Sequence, residues 1–158
     1  MDCTFNTELG KFNYRVGVII KNGSKVLMAR NPNEKRMFYY SVGGRVKFGE
    51  SMTDAVMREL REELGIKCEI DRLVCIHENF FSDDDGIPFH EISCYFSVKQ
   101  DPVILSVQNG HLTDHGPEGE YLEWIDLDNC EGMTLYPEFI KSLDLSSEGG
   151  CVHYITRE

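Results

Sequence analysis

Along most of this chain the apolar positions come in short, β-branched or aromatic runs separated by polar punctuation. Two stretches change to a helical pattern. Tyr14 to Ile20 (YRVGVII) predicts a strand. Asn22-Gly23 is a tight-turn pair, so Lys25 to Arg30 (KVLMAR) is expected to return as its hairpin partner. Residues 31 to 38 read as a loop, and Tyr39 to Val42 as a short strand running into Gly43-Gly44. Met52 to Leu64 has strong helix formers and neither Pro nor Gly. Cys68 to Phe81 is β-like, as two strands or one long bent one, and Ser82 to Pro88 is an acidic turn or loop. Phe89 to Lys99 alternates as a long strand should. Residues 106 to 120 have loop composition, and Glu123 to Leu127 is a short strand. Tyr136 to Leu143 suits a second helix with Pro137 in its first turn, and Val152 to Thr156 a last strand. The order strands, helix, strands, helix predicts an α+β domain with a mixed sheet. There is no repeat or linker, so residues 1 to 158 are expected to form a single domain.

The first helix carries the chemistry. Ser51 or Thr53 can cap its N-terminus, and Gly65 suits the position just past its C-terminus. Glu50, Glu59, Glu62 and Glu63 fall close together, and on a helix Glu59 lies one turn from Glu62 and Glu63. Like charges at that spacing repel, and a divalent cation removes the repulsion. Carboxylate oxygens are the hard ligands that Mg²⁺ or Mn²⁺ takes, and Mg²⁺ usually bridges to substrate phosphates. Gly43-Gly44 lets backbone approach a metal or phosphate closely.

Residues 44 to 66 (GRVKFGESMTDAVMRELREELGI) resemble the signature of the Nudix hydrolases at every defined position: Gly44, Glu50, Arg58-Glu59-Leu60, Glu62-Glu63 and Gly65-Ile66. The detailed similarity covers residues 14 to 66, and a looser one continues through the EWIDLDN segment. The resemblance implies the Nudix fold, a mixed β-sheet sandwiched between α-helices. It also implies Mg²⁺-dependent attack of water on a diphosphate linkage in a nucleoside diphosphate derivative. A nucleoside triphosphate is the leading substrate type; a nucleotide sugar, ADP-ribose or a dinucleotide is the alternative, as is a module that senses nucleotides without cleaving them. By the same resemblance Glu59, Glu62 and Glu63 are metal ligands, one of them a candidate general base, with the carbonyl of Gly44 or Gly43 as a further ligand. Glu50 and Arg58 are expected to form an ion pair that orients the loop and helix.

Many relatives place one more carboxylate on a distal loop. Glu118 and Glu120, in PEGEYLEW, are the candidates, with Glu123 read as surface. Glu91 is a rival: with Phe89, Ser93 and Tyr95 it shares one face of its strand, where it either faces the metal site or pairs with Arg15 or Arg30. Arg15, Arg30 and Arg45 are candidate phosphate ligands. Phe81, with Phe80, Tyr39 and Tyr40, is a candidate to stack on a base. Ser41-Val42 stands where most relatives carry Pro before the glycine pair, and no subfamily marker follows the signature.

Charge narrows the partners. The formal net charge of −11 argues against nucleic-acid polymers, since no basic excess exists to neutralise phosphates. A small nucleotide is compatible with it, because bound cations reverse the local sign. The six cysteines include no CxxC pair and read as reduced thiols. No membrane span is apparent, which gives the expectation of a cytoplasmic protein. Homodimers are frequent in the resembled family, but no residue here specifies an interface.

Overall fold

The computed structural model describes residues 1–33, 38–113, 119–146 and 148–158. Its described strands join in one mixed sheet. In chain order they are β1 (Thr4–Thr7), β2 (Gly10–Ile19), β3 (Lys21–Asn22), β4 (Lys25–Arg30), β5 (Phe38–Arg45), β6 (Ile70–Ser82), β7 (Pro88–Val98), β8 (His111–Leu112), β9 (Tyr121–Asp126), β10 (Thr134–Tyr136) and β11 (Val152–Arg157). The main path runs β11-β6-β7-β2-β5-β4-β9-β8, with β1 beside β2, β10 beside β5 and β3 beside β4. β2 is parallel to β7 and antiparallel to β5, so the sheet is mixed at its centre.

One helix dominates. In α1 (Met52–Leu64) the Ser51 side chain accepts from the Asp54 N–H, and Gly65 closes the C-terminus in the left-handed conformation at φ 68°. Ala55, Val56 and Leu60 press α1 onto Val16, Val18, Leu27, Ala29 and Val42 of the sheet, along with Ile104 of the short helix α2 (Pro102–Leu105). Burying a side chain such as Leu60 fully contributes about 2 kcal/mol. The opposite face forms a second core of Ile19, Val26, Met28, Tyr39 and Tyr95, covered by Leu135 and Ile140. The sheet is thus covered on both faces, in the α+β arrangement expected of the Nudix fold.

Three expectations need correction. Asn22-Gly23 makes its turn, with Gly23 at φ 60°, but the hairpin joins only β3 to β4. β2 turns away to pair with β5 and β7, because its apolar residues on both faces need the centre of the sheet. Tyr136–Leu143 is not an α-helix: Tyr136 ends β10, which pairs with β5, and only a 3-10 turn over Glu138–Ser142 follows. Pairing of Leu135 and Tyr136 with Tyr39 and Tyr40 overrides the helical pattern. Glu123 is not a solvated surface charge but a partly buried partner; it accepts from Arg30 Nε and the Tyr39 hydroxyl, both at 3.3 Å. The long β-like run at 70–82 is one strand with irregular register near Arg72 and Leu73.

Candidate active site

β5 delivers Gly43 and Gly44 to the flank of α1, and both glycines are required by close approach. A Cβ on Gly44 would run into the Glu59 carboxylate. Gly43 sits at φ 142°, where a Cβ would strike the Val16 carbonyl of the neighbouring strand. Its N–H donates to Glu63 Oε2 at 3.3 Å. Two carboxylates are therefore held against bare backbone.

α1 divides its glutamates by depth. Glu59 and Glu63, four residues apart, are 7% and 5% exposed, whereas the Glu62 side chain is 41% exposed. Burial, and then the charges of Glu59 and Glu120, push the Glu63 carboxyl up to about 8. The charge of Arg15 acts in the opposite sense.

Arg58 organises the other side. Its Nε donates to Glu50 Oε1 at 2.8 Å and its Nη2 to Glu50 Oε2 at 3.0 Å, a forked pair. Nη1 reaches Glu59 Oε1 at 2.6 Å and Glu62 Oε2 at 3.0 Å, and Nη2 also donates to the Arg45 carbonyl at 2.9 Å. Glu50 Oε2 accepts from the Lys47 N–H as well. The hydrogen bonds from Arg58 hold the Glu50 carboxyl below the usual carboxylate range, and those from Glu50 raise Arg58 further. One guanidinium thus ties the 45–50 loop to α1 and orients two of its glutamates.

The donor set fits a hard divalent cation. Glu59, Glu62 and Glu63 offer only carboxylate oxygen, and the cradle at Gly44 leaves room for nothing but backbone beside Glu59. Among the described residues no three His, Cys, Asp or Glu side chains are already grouped as a metal cage; Arg58 lies between Glu50, Glu59 and Glu62.

The remaining candidates divide. Glu120 lies near enough to raise Glu63, and its N–H donates to Thr113 Oγ1 at 2.9 Å. Glu118 falls outside the described residues. Arg15 on β2 stands in register with Arg45 on β5. Glu91 is 4.0 Å from Arg15 Nη1 and accepts from Asn13 Nδ2 at 3.2 Å and Ser93 Oγ at 3.1 Å, so it is a partner of Arg15. Arg30 is engaged by Glu123 on β9 rather than by the α1 glutamates. Phe81 is not brought to the glutamates; it stacks on Phe89 at 4.9 Å. Phe89 pairs with Lys11 near the start of β2, about 17 Å along the strand from Val16, the partner of Gly44.

Sequence reasoning did not place Tyr136 beside Tyr40. Its ring stacks on Tyr40 at 5.7 Å and meets Phe38 edge-on at 5.5 Å. Tyr40 lies on the Gly44 face of β5. The signal was present as an aromatic next to Pro137, but only the unexpected β10–β5 pairing shows where it goes.

A mixed sheet bearing a carboxylate-rich helix against a double-glycine strand fits a hydrolase of phosphate anhydrides, the class that the comparisons show. The chain belongs to the Nudix family of pyrophosphohydrolases, its residues 11–142 matching the NUDIX domain. It is 31% identical over 124 residues to the ADP-ribose pyrophosphatase of Methanocaldococcus jannaschii, covering 78% of this chain and 67% of that one. It is 28% identical over 118 residues to the NAD-capped RNA hydrolase NudC of Chromobacterium violaceum, covering 75% of this chain but only 39% of that relative's length. The MutT Nudix hydrolase of Burkholderia pseudomallei has the same fold, with a TM-score of 0.60 at 21% identity, covering 82% of this chain and 95% of that one.

Proposed function

We propose that this Nudix hydrolase, which acts on nucleotide derivatives, cleaves a diphosphate linkage in a nucleoside diphosphate derivative with Mg²⁺, or Mn²⁺ in its place. The observation that carries this reading is the pressing of Glu59 and Glu63 against the bare backbone of Gly43 and Gly44 beside the more exposed Glu62. Glu59, Glu62, Glu63 and the Gly44 carbonyl would hold the cation, with Glu120 approaching from the β9 side. When bound, the cation supplies Lewis-acid polarisation of phosphoryl oxygen and lowers the pKa of water.

The chain's own residues do the rest. Glu50 and Arg58 fix the loop and aim Glu59 and Glu62. Arg15, held by Glu91, and Arg45 face the anionic substrate as phosphate-binding cations. Tyr40 and Tyr136 offer aromatic surface for a nucleobase on the strand that leads to Gly44. The relatives named for ADP-ribose and NAD-capped RNA support a nucleoside diphosphate unit. The net charge of −11 favours a small nucleotide over a polymer.

The test is product analysis across nucleoside triphosphates, ADP-ribose, nucleotide sugars and dinucleoside polyphosphates, with Mg²⁺, Mn²⁺ or chelator. Cleavage of one class that stops in chelator is expected. Silence throughout, together with tight binding of a member, would instead indicate a sensor.

A further inference from the structure

Arg15 and Arg45 stand directly opposite each other on β2 and β5. Like charges in that position destabilise a strand pair, so their placement calls for an anion. They occupy the row next to Gly17 and Gly43 on the same sheet face, about 7 Å along the strands. The Gly43 N–H is the one that holds Glu63. Each guanidinium has a carboxylate of its own nearby. Glu91 Oε2 lies 4.0 Å from Arg15 Nη1, and Asp2 Oδ2 lies 3.8 Å from Arg45 Nη1. At those distances the charge is felt but no hydrogen bond is made. Arg45 Nε is also buried without an acceptor among the described residues. Both guanidinium forks therefore keep donors for a further anion.

The two carboxylates are held very differently. The Asp2 side chain is 40% exposed, whereas that of Glu91 is 13% exposed and has both oxygens engaged. Asn13 Nδ2 donates to Glu91 Oε2 at 3.2 Å, and Ser93 Oγ donates to Oε1 at 3.1 Å. Asn13 stands opposite Glu91 in the β2–β7 register and is itself buried. The Thr4 hydroxyl donates to Asn13 Oδ1 at 2.7 Å, which turns the amide so that its NH₂ faces Glu91. Residues of β1, β2 and β7 thus fix this carboxylate on the protein's own account. The Arg15 side chain that it faces is 39% exposed. A rigidly bonded carboxylate beside a half-exposed arginine sets where the guanidinium points.

We propose that Glu91 is a positioning residue for substrate binding: fixed by Asn13 and Ser93, it holds the Arg15 guanidinium beside Arg45 so that the two cations grip one phosphate group next to the α1 glutamates. The inference rests on the hydrolase reading above and names what supports its phosphate contact. Without the Glu91 charge the two guanidinia repel, and Arg15 turns away toward solvent.

The probe is ADP, a nucleoside carrying a diphosphate, titrated by calorimetry in Ca²⁺, a hard oxygen-binding cation. The proteins are the wild type, Glu91→Gln, Arg15→Gln and the double variant, with thermal melts to confirm that each is folded. Glu91→Gln keeps the size of the side chain and removes its charge. It should weaken ADP about fivefold, the scale of a partly screened ion pair. Arg15→Gln should weaken ADP by at least as much. The double variant should bind no more weakly than Arg15→Gln alone, because Glu91 acts through Arg15. Glu91→Asp, which keeps the charge, should recover part of the loss. Wild-type affinity in Glu91→Gln, the same loss with and without Arg15, or no ADP binding by the wild type would overturn the proposal. Product analysis of the nucleotide panel in Mg²⁺ separates the two readings. Coupling of Glu91 to Arg15 without cleavage sinks the hydrolase reading alone, and cleavage without that coupling sinks the positioning role alone.

Discussion

Glu62 is the exposed member of the α1 glutamates, touched by Arg58 at 3.0 Å and Lys47 at 3.8 Å. Glu62→Gln removes a charge and almost no volume. Turnover should fall by at least about a hundredfold, as when a group acting on the transition state is lost, while the melting temperature stays close to wild type. Mg²⁺-dependent turnover at the wild-type rate would remove Glu62 from the ligand set. Gly44→Ala tests the cradle from the other side. The new methyl meets the Glu59 carboxylate, so the side chain must move. Activity should collapse with a smaller loss of stability, readable by comparing initial rates with a denaturant melt. A variant as active as wild type would show that Glu59 need not sit against backbone.

At the scale of the element, α1 is both a structural member and the carrier of the site, and the two roles can be separated. Ser51 caps the helix through the Asp54 N–H at 3.1 Å. Ser51→Ala should cost about 1 kcal/mol of stability and leave kcat near wild type, checked by urea unfolding beside steady-state kinetics. Arg58 is different, because one guanidinium joins the loop to the helix. Arg58→Met leaves Glu50 and Glu59 without their partner at mostly buried positions, and a cost of about 3 kcal/mol is expected. Replacing Glu50 as well, by Gln, should restore part of that stability without restoring activity. A double-mutant cycle measures the coupling, and strict additivity would count against the pair as the tie.

Across the whole molecule, β11 is fastened to the sheet partly through His77, whose Nε2 lies 2.9 Å from Thr156 Oγ1 and whose ring meets Phe139 edge-on at 4.8 Å. Burial lowers the His77 pKa below its ordinary value, outweighing the charge of Glu91. The unfolded chain therefore takes up this proton first. The stability from neutral His77 is complete above about pH 6.5 and is lost as pH falls through that value toward the lower folded pKa. Thermal melts of the wild type should drop more between about pH 7 and pH 5 than those of His77→Gln; parallel curves would show that His77 carries no such linkage.

Short-range chemistry explains what was legible beforehand. The cap at Ser51, the stop at Gly65, the helix between them and the glutamate spacing are set by residues a turn or two apart, so the sequence by itself determined α1 and the family. It also determined that Phe89, Glu91, Ser93 and Tyr95 share a strand face, since that follows from a period of two. Pairing between distant strands is another matter. Asn22-Gly23 makes a turn wherever it stands, yet whether β2 continues into that hairpin depended on β5 and β7 competing for its edges. Tyr136 became a strand residue because β5 offered an open edge. Only the tertiary structure decided that Glu59 and Glu63 are buried while Glu62 is not, that Arg30 pairs with Glu123 and Phe81 stacks on Phe89, and that Met1 to Cys3 wall a cavity against Phe48. Helical periodicity puts residues on one side of a cylinder, but the depth of each carboxylate is fixed by what the sheet packs against it.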